Sequence, residues 1–395
     1  MQNYAIVILC NNDACYKILV TVYVNGYGKS WVKHIKERLM NGRVTLKDIA
    51  STMEISRTSV HRALHGKEGV NEELRVKIRA KAEEMGYVVN YAATSLKRKT
   101  VSLAVVLPDR QGVGRLYNKY VWDAVETFIP EANSLNTHIE FYSYCEESDE
   151  QVNILNDILN GKNQVNGLLT MVSKSNDSMH RVVERFGDRN IPVVLIDNDL
   201  PGTGRFCCIA PHDEQIGRLG AELLISITPN DGKILVAGGS LERASHGLSL
   251  EGFIEYIAKS GRKLETIVIN SFSNSGLCYD KAKKVIEEHK DIVAFYAVTA
   301  RDTLPLCKAV YDSGLAGKII GIGSDLNPES AKLLKEGTIN ALVYKNAFEK
   351  GSLGFRVLFD LVVKNINHKR DNMTVPISII MKNNLPFFED FIKTK

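Results

Sequence analysis

Six polar side chains crowd residues 56–62 within the stretch "EISRTSVHRALHG": Ser56, Arg57, Thr58, Ser59, His61 and Arg62. At helical spacing Val60, Ala63 and Leu64 share one face, which leaves Arg57, Thr58, His61 and Arg62 pointing outward. Guanidinium, hydroxyl and imidazole donors near a helix start are the groups that reach base edges and phosphates in a major groove. Ser56 is placed to cap that helix. Upstream, Thr45 followed three residues later by Asp48 reads as a capping box, here with Asp in place of Glu, and Leu46, Ile49, Ala50 and Met53 then recur at helical spacing. Two short helices joined by "EIS" form a helix-turn-helix. Asn71 with Glu72 and Glu73 opens a third helix ending at Gly86, whose Leu74, Ile78, Ala82 and Met85 close a three-helix core.

A second group of chemically capable residues stands at the ends of apolar runs. "VSLAVVLP", "HIEFYSY", "VNGLLTMV", "IPVVLIDN", "GKILVAGG", "ETIVIN", "IVAFYAVT" and "KIIGIGS" are rich in β-branched residues and separated by amphipathic helical stretches. Continuous apolar strands alternating with helices imply parallel sheets covered on both faces, and eight strands in this length suit two α/β subdomains. Ligands of open α/β sheets sit at the carboxyl ends of the strands. Those ends carry Asp109 and Arg110, Met171 and Ser173, Asp197 and Asn198, Glu242 and Arg243, Arg301 and Asp302, and Asp325. Carboxylates and guanidiniums mixed with amides bind vicinal hydroxyls bidentately, so a polyhydroxylated ligand is expected. Tyr117, Phe272 and Tyr344 are aromatic candidates for stacking on a sugar face, against the alternative that each packs in a core.

Catalysis finds no support. "GGS" at 238–240 is too short for a phosphate loop, there is no G-x-S-x-G or H-E-x-x-H, and the nine histidines are scattered. Neither an enzyme, a cofactor nor a metal site is expected. The seven cysteines are odd in number and contain no C-x-x-C, which points to free thiols in a reducing cytoplasm. Vicinal Cys207 and Cys208 read as small buried apolar residues rather than a redox pair.

Charge is distributed unevenly. Residues 43–99 carry a formal +5 and residues 1–42 a formal +3, so residues 100–395 carry −4. A basic end ahead of an acidic body is expected when that end meets a polyanion. Residues 1–43 are an extension of doubtful origin: "YAIVILCNNDACYKILVTVYV" lacks the basic start of a signal peptide, Asn11, Asn12, Asp13 and Lys17 interrupt it, and Met40 offers a second start just ahead of Val44.

The order of "VTLKDIA", "ISRTSVHRALHG", "VNEELRVKI", "MGYVVN" and "YAATSLKRK" resembles, without a gap from Val44 to Lys99, the headpiece of the LacI/GalR family of bacterial transcription regulators. The resemblance implies an N-terminal lambda-repressor-like helix-turn-helix domain (44–89), a hinge helix and linker (90–100), and a type I periplasmic-binding-protein-like effector domain (101–395). The effector domain would have one subdomain at about 101–210 and 347–370 and another at about 211–346 and 371–395. It implies base reading by Arg57 and Thr58 with Arg62 one turn on, phosphate contacts from Thr45 and Ser59, and a hinge segment beginning at Asn90. There Leu96 would wedge into the minor groove, Ala93 would line the helix pair, and Lys97 would follow the backbone. Two departures stand out: Glu54 where the family usually has Gly in the turn, and Val89 where it usually has Pro. In the body, Asp302 falls on the family's ligand-binding Asp with Arg301 in place of the preceding Asn, Lys345 replaces a Gln, and Ser249 stands where the effector-binding Arg is expected. Either Arg243 or Arg301 replaces that charge or the effector differs from a simple monosaccharide; a phosphorylated or acidic sugar would exploit Arg301 and Lys345. The expectation is a cytoplasmic, homodimeric repressor of carbohydrate genes that binds a palindromic DNA operator under control of a sugar-like effector. A solute-binding protein without a regulatory role, or a regulator answering a partner protein, is the alternative.

Overall fold

A computed structural model describes residues 9–11, 14–16, 44–64, 68–87, 99–146, 148–161, 164–240, 243–271 and 274–392. The chain divides into two units, Met1–Asn90 and Tyr91–Lys395. Asn90, Ala93, Leu96, Lys97, Glu242 and Phe272 lie outside the described residues.

In the first unit, β1 (Leu9–Asn11) pairs antiparallel with β2 (Ala14–Tyr16). Three helices follow, α1 (Leu46–Thr52), α2 (Arg57–Leu64) and α3 (Glu72–Glu84). Ile49, Ala50, Val60, Ala63, Ile78 and Ala82 form their buried core. The capping box at Thr45 is complete, with the Thr45 N–H donating to Asp48 Oδ2 at 2.8 Å and the Asp48 N–H donating back to Thr45 Oγ1 at 3.4 Å. Ser56 accepts from the Ser59 N–H at 3.0 Å and so starts α2. Asn71 does the same for α3 through the Leu74 N–H at 2.8 Å. The turn between α1 and α2 places Glu54 at φ 56°, in the left-handed region where a side chain crowds the following carbonyl. Only glycine adopts this region freely, which is a physical reason for a Gly at such a turn.

The second unit is built from two sheets. The first has the order β4-β3-β5-β6-β7, all parallel: β3 (Val101–Pro108), β4 (Thr137–Tyr144), β5 (Gly167–Met171), β6 (Val193–Ile196) and β7 (Cys207–Ile209). The second has the order β13-β12-β11-β10-β8-β9: β8 (Gly232–Ala237), β9 (Leu264–Ile269), β10 (Ile292–Ala297), β11 (Ile320–Ser324), β12 (Ala341–Tyr344) and the antiparallel edge β13 (Ser378–Met381). Each sheet has helices on both faces, giving two apolar clusters per sheet. β7 carries the two vicinal cysteines fully buried, and burial pushes the Cys207 thiol up to about 11. Helix α13 (Ala347–Val362) returns from the second sheet to pack on the first. There Gly351 lets it approach helix α4 (Asn118–Glu126): a Cβ at Gly351 would lie 2.7 Å from the Val121 carbonyl oxygen. The chain thus crosses between the lobes three times, after β7, after β12 and after α13.

Candidate functional site: the interlobe cleft

The carboxyl ends of the parallel strands of both sheets face one cleft. It is lined by Tyr117, Asp197 and Lys350 from the first lobe side, by Arg243, His246, Ser249, Arg301, Asp325 and Lys345 from the second, and by Glu146 and Asp213. The two lobes present matching constructions. Asp197 follows β6 and Asp325 follows β11, the fourth strand of each lobe, and both are left-handed, at φ 66° and 59°. Each donates its N–H to the carbonyl of the adjacent strand, Asp197 to Ile209 at 2.9 Å and Asp325 to Val343 at 3.0 Å. Each also holds a lysine. Lys350 Nζ lies 2.5 Å from Asp197 Oδ1, and Lys345 Nζ lies 3.0 Å from Asp325 Oδ2. Strained backbone at matched positions persists only when the surroundings over-determine it, and such sites cluster at ligand clamps.

Lys350 has only 1% of its side chain exposed. It also donates to the Tyr117 hydroxyl, which in turn donates to Asp197 at 3.1 and 3.0 Å. Burial, reinforced by Asp197, holds the Tyr117 hydroxyl well above its ordinary pKa, so it remains a neutral donor. On the far wall, Arg243 and Arg301 both donate to Glu146 Oε2, Arg243 at 2.8 Å. Asn118 donates to Glu146 Oε1 at 3.2 Å. Burial would raise the Glu146 carboxyl, but the two guanidiniums outweigh it and hold it below the usual range. Because Glu146 belongs to the first lobe and both arginines to the second, this cluster ties the lobes together. At the rim Arg115 adds an exposed crossing to Glu329 at 2.6 Å; such a solvent-screened pair contributes little.

Asp213 and His246 complete the lining. Burial, then the charge of Asp197, pushes the Asp213 carboxyl up to about 7. Burial, then the positive charge of Arg243, pushes His246 well down. His246 is therefore neutral, and its Nδ1 accepts from the Ser240 N–H at 3.1 Å.

Of the residues expected from the sequence to meet the effector, the structure brings Tyr117, Asp197, Arg243, Ser249, Arg301, Asp325 and Lys345 to the cleft. Four are placed elsewhere. Asp302 is 1% exposed and turned into the start of helix α11 (Ala300–Asp312), where its N–H and carboxylate both meet Thr299 Oγ1. Arg110 pairs with Glu126 at 2.6 Å and lies over the Trp122 ring. Ser173 is locked by Gln151, which accepts from its N–H at 3.1 Å and its hydroxyl at 2.9 Å. Asp109 lines an adjoining recess and accepts from the Gln111 N–H. Tyr344 is buried in the second lobe, edge-on to Phe388. Sequence reasoning missed Glu146, Asp213, His246 and Lys350. Glu146 and Asp213 stand just past the ends of β4 and β7, a signal that was present; Lys350, one turn into a helix, gave none.

In the first unit Thr45, Ser56 and Ser59 are engaged in helix caps, while Arg57, Thr58 and Arg62 are exposed along α2 and His61 is half-buried.

Two α/β lobes joined by three crossings around a polar cleft define a bilobed architecture. The chain belongs to the periplasmic binding protein domain family, whose model matches residues 106–365. Its relatives include regulators of the LacI/GalR type. The HTH-type transcriptional regulator GntR of Pseudomonas aeruginosa is 27% identical over 267 residues, covering 67% of this chain and 68% of that protein. The HTH-type transcriptional repressor PurR of Proteus mirabilis is 25% identical over 346 residues, covering 84% of this chain and 94% of that protein. Among solved structures, the glucose-galactose binding protein GanP of Geobacillus stearothermophilus matches with a TM-score of 0.64 at 24% identity, covering 73% of this chain and all of that one. The resemblance read from the headpiece thus extends to the body, and these relatives are regulators and a binding protein rather than enzymes. Among the described residues, no helix is long and apolar enough to cross a membrane.

Proposed function

We propose that this protein is a ligand-responsive, sequence-specific DNA-binding regulator, a repressor of carbohydrate genes. In this reading α2 enters the major groove of a palindromic operator, with Arg57, Thr58 and Arg62 as its reading face, and the chain acts in the cytoplasm as a homodimer. Residues 90–100 serve as the hinge helix and linker, with Leu96 as wedge, and a small polyhydroxylated effector occupies the interlobe cleft. The observation that carries the reading is the cleft itself. Opposite charges from two lobes meet across it, so a solute that contacts both lobes changes the balance between open and closed states, which is the requirement for coupling to a second site. Support for the N-terminal part comes from its +5 charge, the exposed donors of α2, and a PurR match covering so much of the chain that it extends ahead of residue 101. A single headpiece makes too few contacts to single out one genomic site, whereas two on a palindrome roughly add their base readout.

The test is a thermal-shift screen of the full chain against sugars and sugar derivatives, followed by operator binding with and without the hit. A ligand that raises the unfolding temperature and changes operator affinity, with salt-sensitive binding to a palindrome, is the expected result. Stabilisation without any DNA affinity would instead identify a solute-binding protein.

A further inference from the structure

We propose that Arg243 and Arg301 form a subsite for an oxyanion, and that Glu146 occupies it until a phosphate or carboxylate group of the ligand takes its place. The inference rests on reading the cleft as the effector site and narrows the ligand to an anionic polyhydroxylated molecule.

Charge matching within the cleft is the first argument. Lys345 and Lys350 are each balanced by one carboxylate, Asp325 and Asp197. Arg243 and Arg301 share one, and both donate to the same oxygen of it. That cluster therefore carries a surplus positive charge while its side chains are only 18%, 15% and 8% exposed. A buried charge without a counter-ion is costly, and a ligand anion is what would offset it.

Donor capacity is the second. Among the described residues each guanidinium donates to Glu146 alone, leaving most of its N–H groups without a protein acceptor. Two convergent guanidiniums with spare donors fit the several lone pairs of a phosphate or carboxylate group. Two helices also begin here. Helix α9 (Ala244–Lys259) has Arg243 itself as N-cap and no side-chain cap bond, and α11 starts at Ala300. Their positive ends favour an anion at the same place.

Glu146 lies in the other lobe and satisfies these groups in part. Its carboxylate has the charge and shape of a ligand carboxylate, so it acts as an internal stand-in. A ligand anion that displaces it keeps the arginines satisfied and frees the first lobe from the Glu146 tether.

The experiment follows thermal unfolding and calorimetric binding of the full chain in sodium phosphate or sodium acetate, against sodium chloride at matched ionic strength. The variants are Glu146→Gln, Glu146→Asp, Arg243→Gln and Arg301→Gln. Wild type should bind phosphate or acetate over chloride, and the anion preferred tells a phosphate ester from a carboxylate. Glu146→Gln should bind at least 10-fold tighter, and Arg243→Gln or Arg301→Gln at least 10-fold weaker. Should Glu146→Gln fail to fold, Glu146→Asp, with its shorter reach, must show the same direction of change. No response in wild type and the Glu146 variants, or a response that survives Arg301→Gln and so arises at the basic N-terminal helices, overturns the proposal. Operator binding measured on the same samples separates the two readings. Intact operator binding without the anion response removes this inference alone, and an anion response without operator binding removes the regulatory reading.

Discussion

Replacing Lys350 by methionine isolates the electrostatic core of the first lobe wall. The lysine stem is buried, with 1% of the side chain exposed, and Asp197 is 15% exposed, so water cannot take over when the ammonium is removed. At 2.5 Å and an effective dielectric of about 20, the direct attraction is about 7 kcal/mol, much of it offset by the desolvation of both ions. Removing one partner strands the other, and the measured cost of that in buried pairs is about 3–5 kcal/mol. Methionine keeps the stem's volume, so packing on α4 survives and the loss is electrostatic. At about 2–4 °C per kcal/mol, the body should unfold about 10 °C earlier. Urea titration followed by the fluorescence of Trp122, which is 5% exposed within the first lobe, reports the change in this lobe. The double variant Asp197→Asn with Lys350→Met should recover most of the loss, because neither charge is left unpaired. A single-variant cost below about 1 kcal/mol, or a double variant no more stable than the single, would refute the reasoning.

Glu54→Gly should match or raise the stability of the three-helix unit by up to about 1 kcal/mol, since it relieves a left-handed backbone at φ 56° while freeing the unfolded chain; Glu54→Val should lower it, and helix melting by circular dichroism ranks the three. Asp213 sets a pH dependence: its carboxyl is raised to about 7 by burial and by Asp197, so the folded state holds a proton that the unfolded chain releases near 4, and stability falls as pH rises from about 4 to 7. Asp213→Asn removes that penalty and should gain over wild type between pH 5 and 8; a difference independent of pH contradicts the assignment. Arg57→Ala should relax base preference, costing about 1–3 kcal/mol on a specific operator and much less on random duplex, as read by fluorescence anisotropy; equal losses on both would place Arg57 on the phosphates.

The amino-acid sequence alone determined the elements whose signals are local. Eight strands were legible, the buried ones because parallel strands covered on both faces need continuous apolar runs such as "VSLAVVLP" and "IPVVLIDN", and α1 to α3 were legible from their capping residues Thr45, Ser56 and Asn71. Strands β7, β12 and β13, three or four residues each, are too short for a period to emerge, and only their neighbours in the sheet make them strands. Strand-end position indicated which polar residues stand near the cleft but not where their side chains turn. Arg301 reaches Glu146, while the carboxylate of the next residue, Asp302, turns back into its own helix start and accepts from the Thr299 hydroxyl. Tertiary structure decided that, and it decided the pairing of Glu146 with Arg243 and Arg301, 97 and 155 residues away, and of Asp197 with Lys350, 153 residues away. A charge pair across a cleft leaves no periodicity in the chain; it exists because two separately folded lobes are brought face to face, where burial makes each charge depend on a partner that no local pattern names.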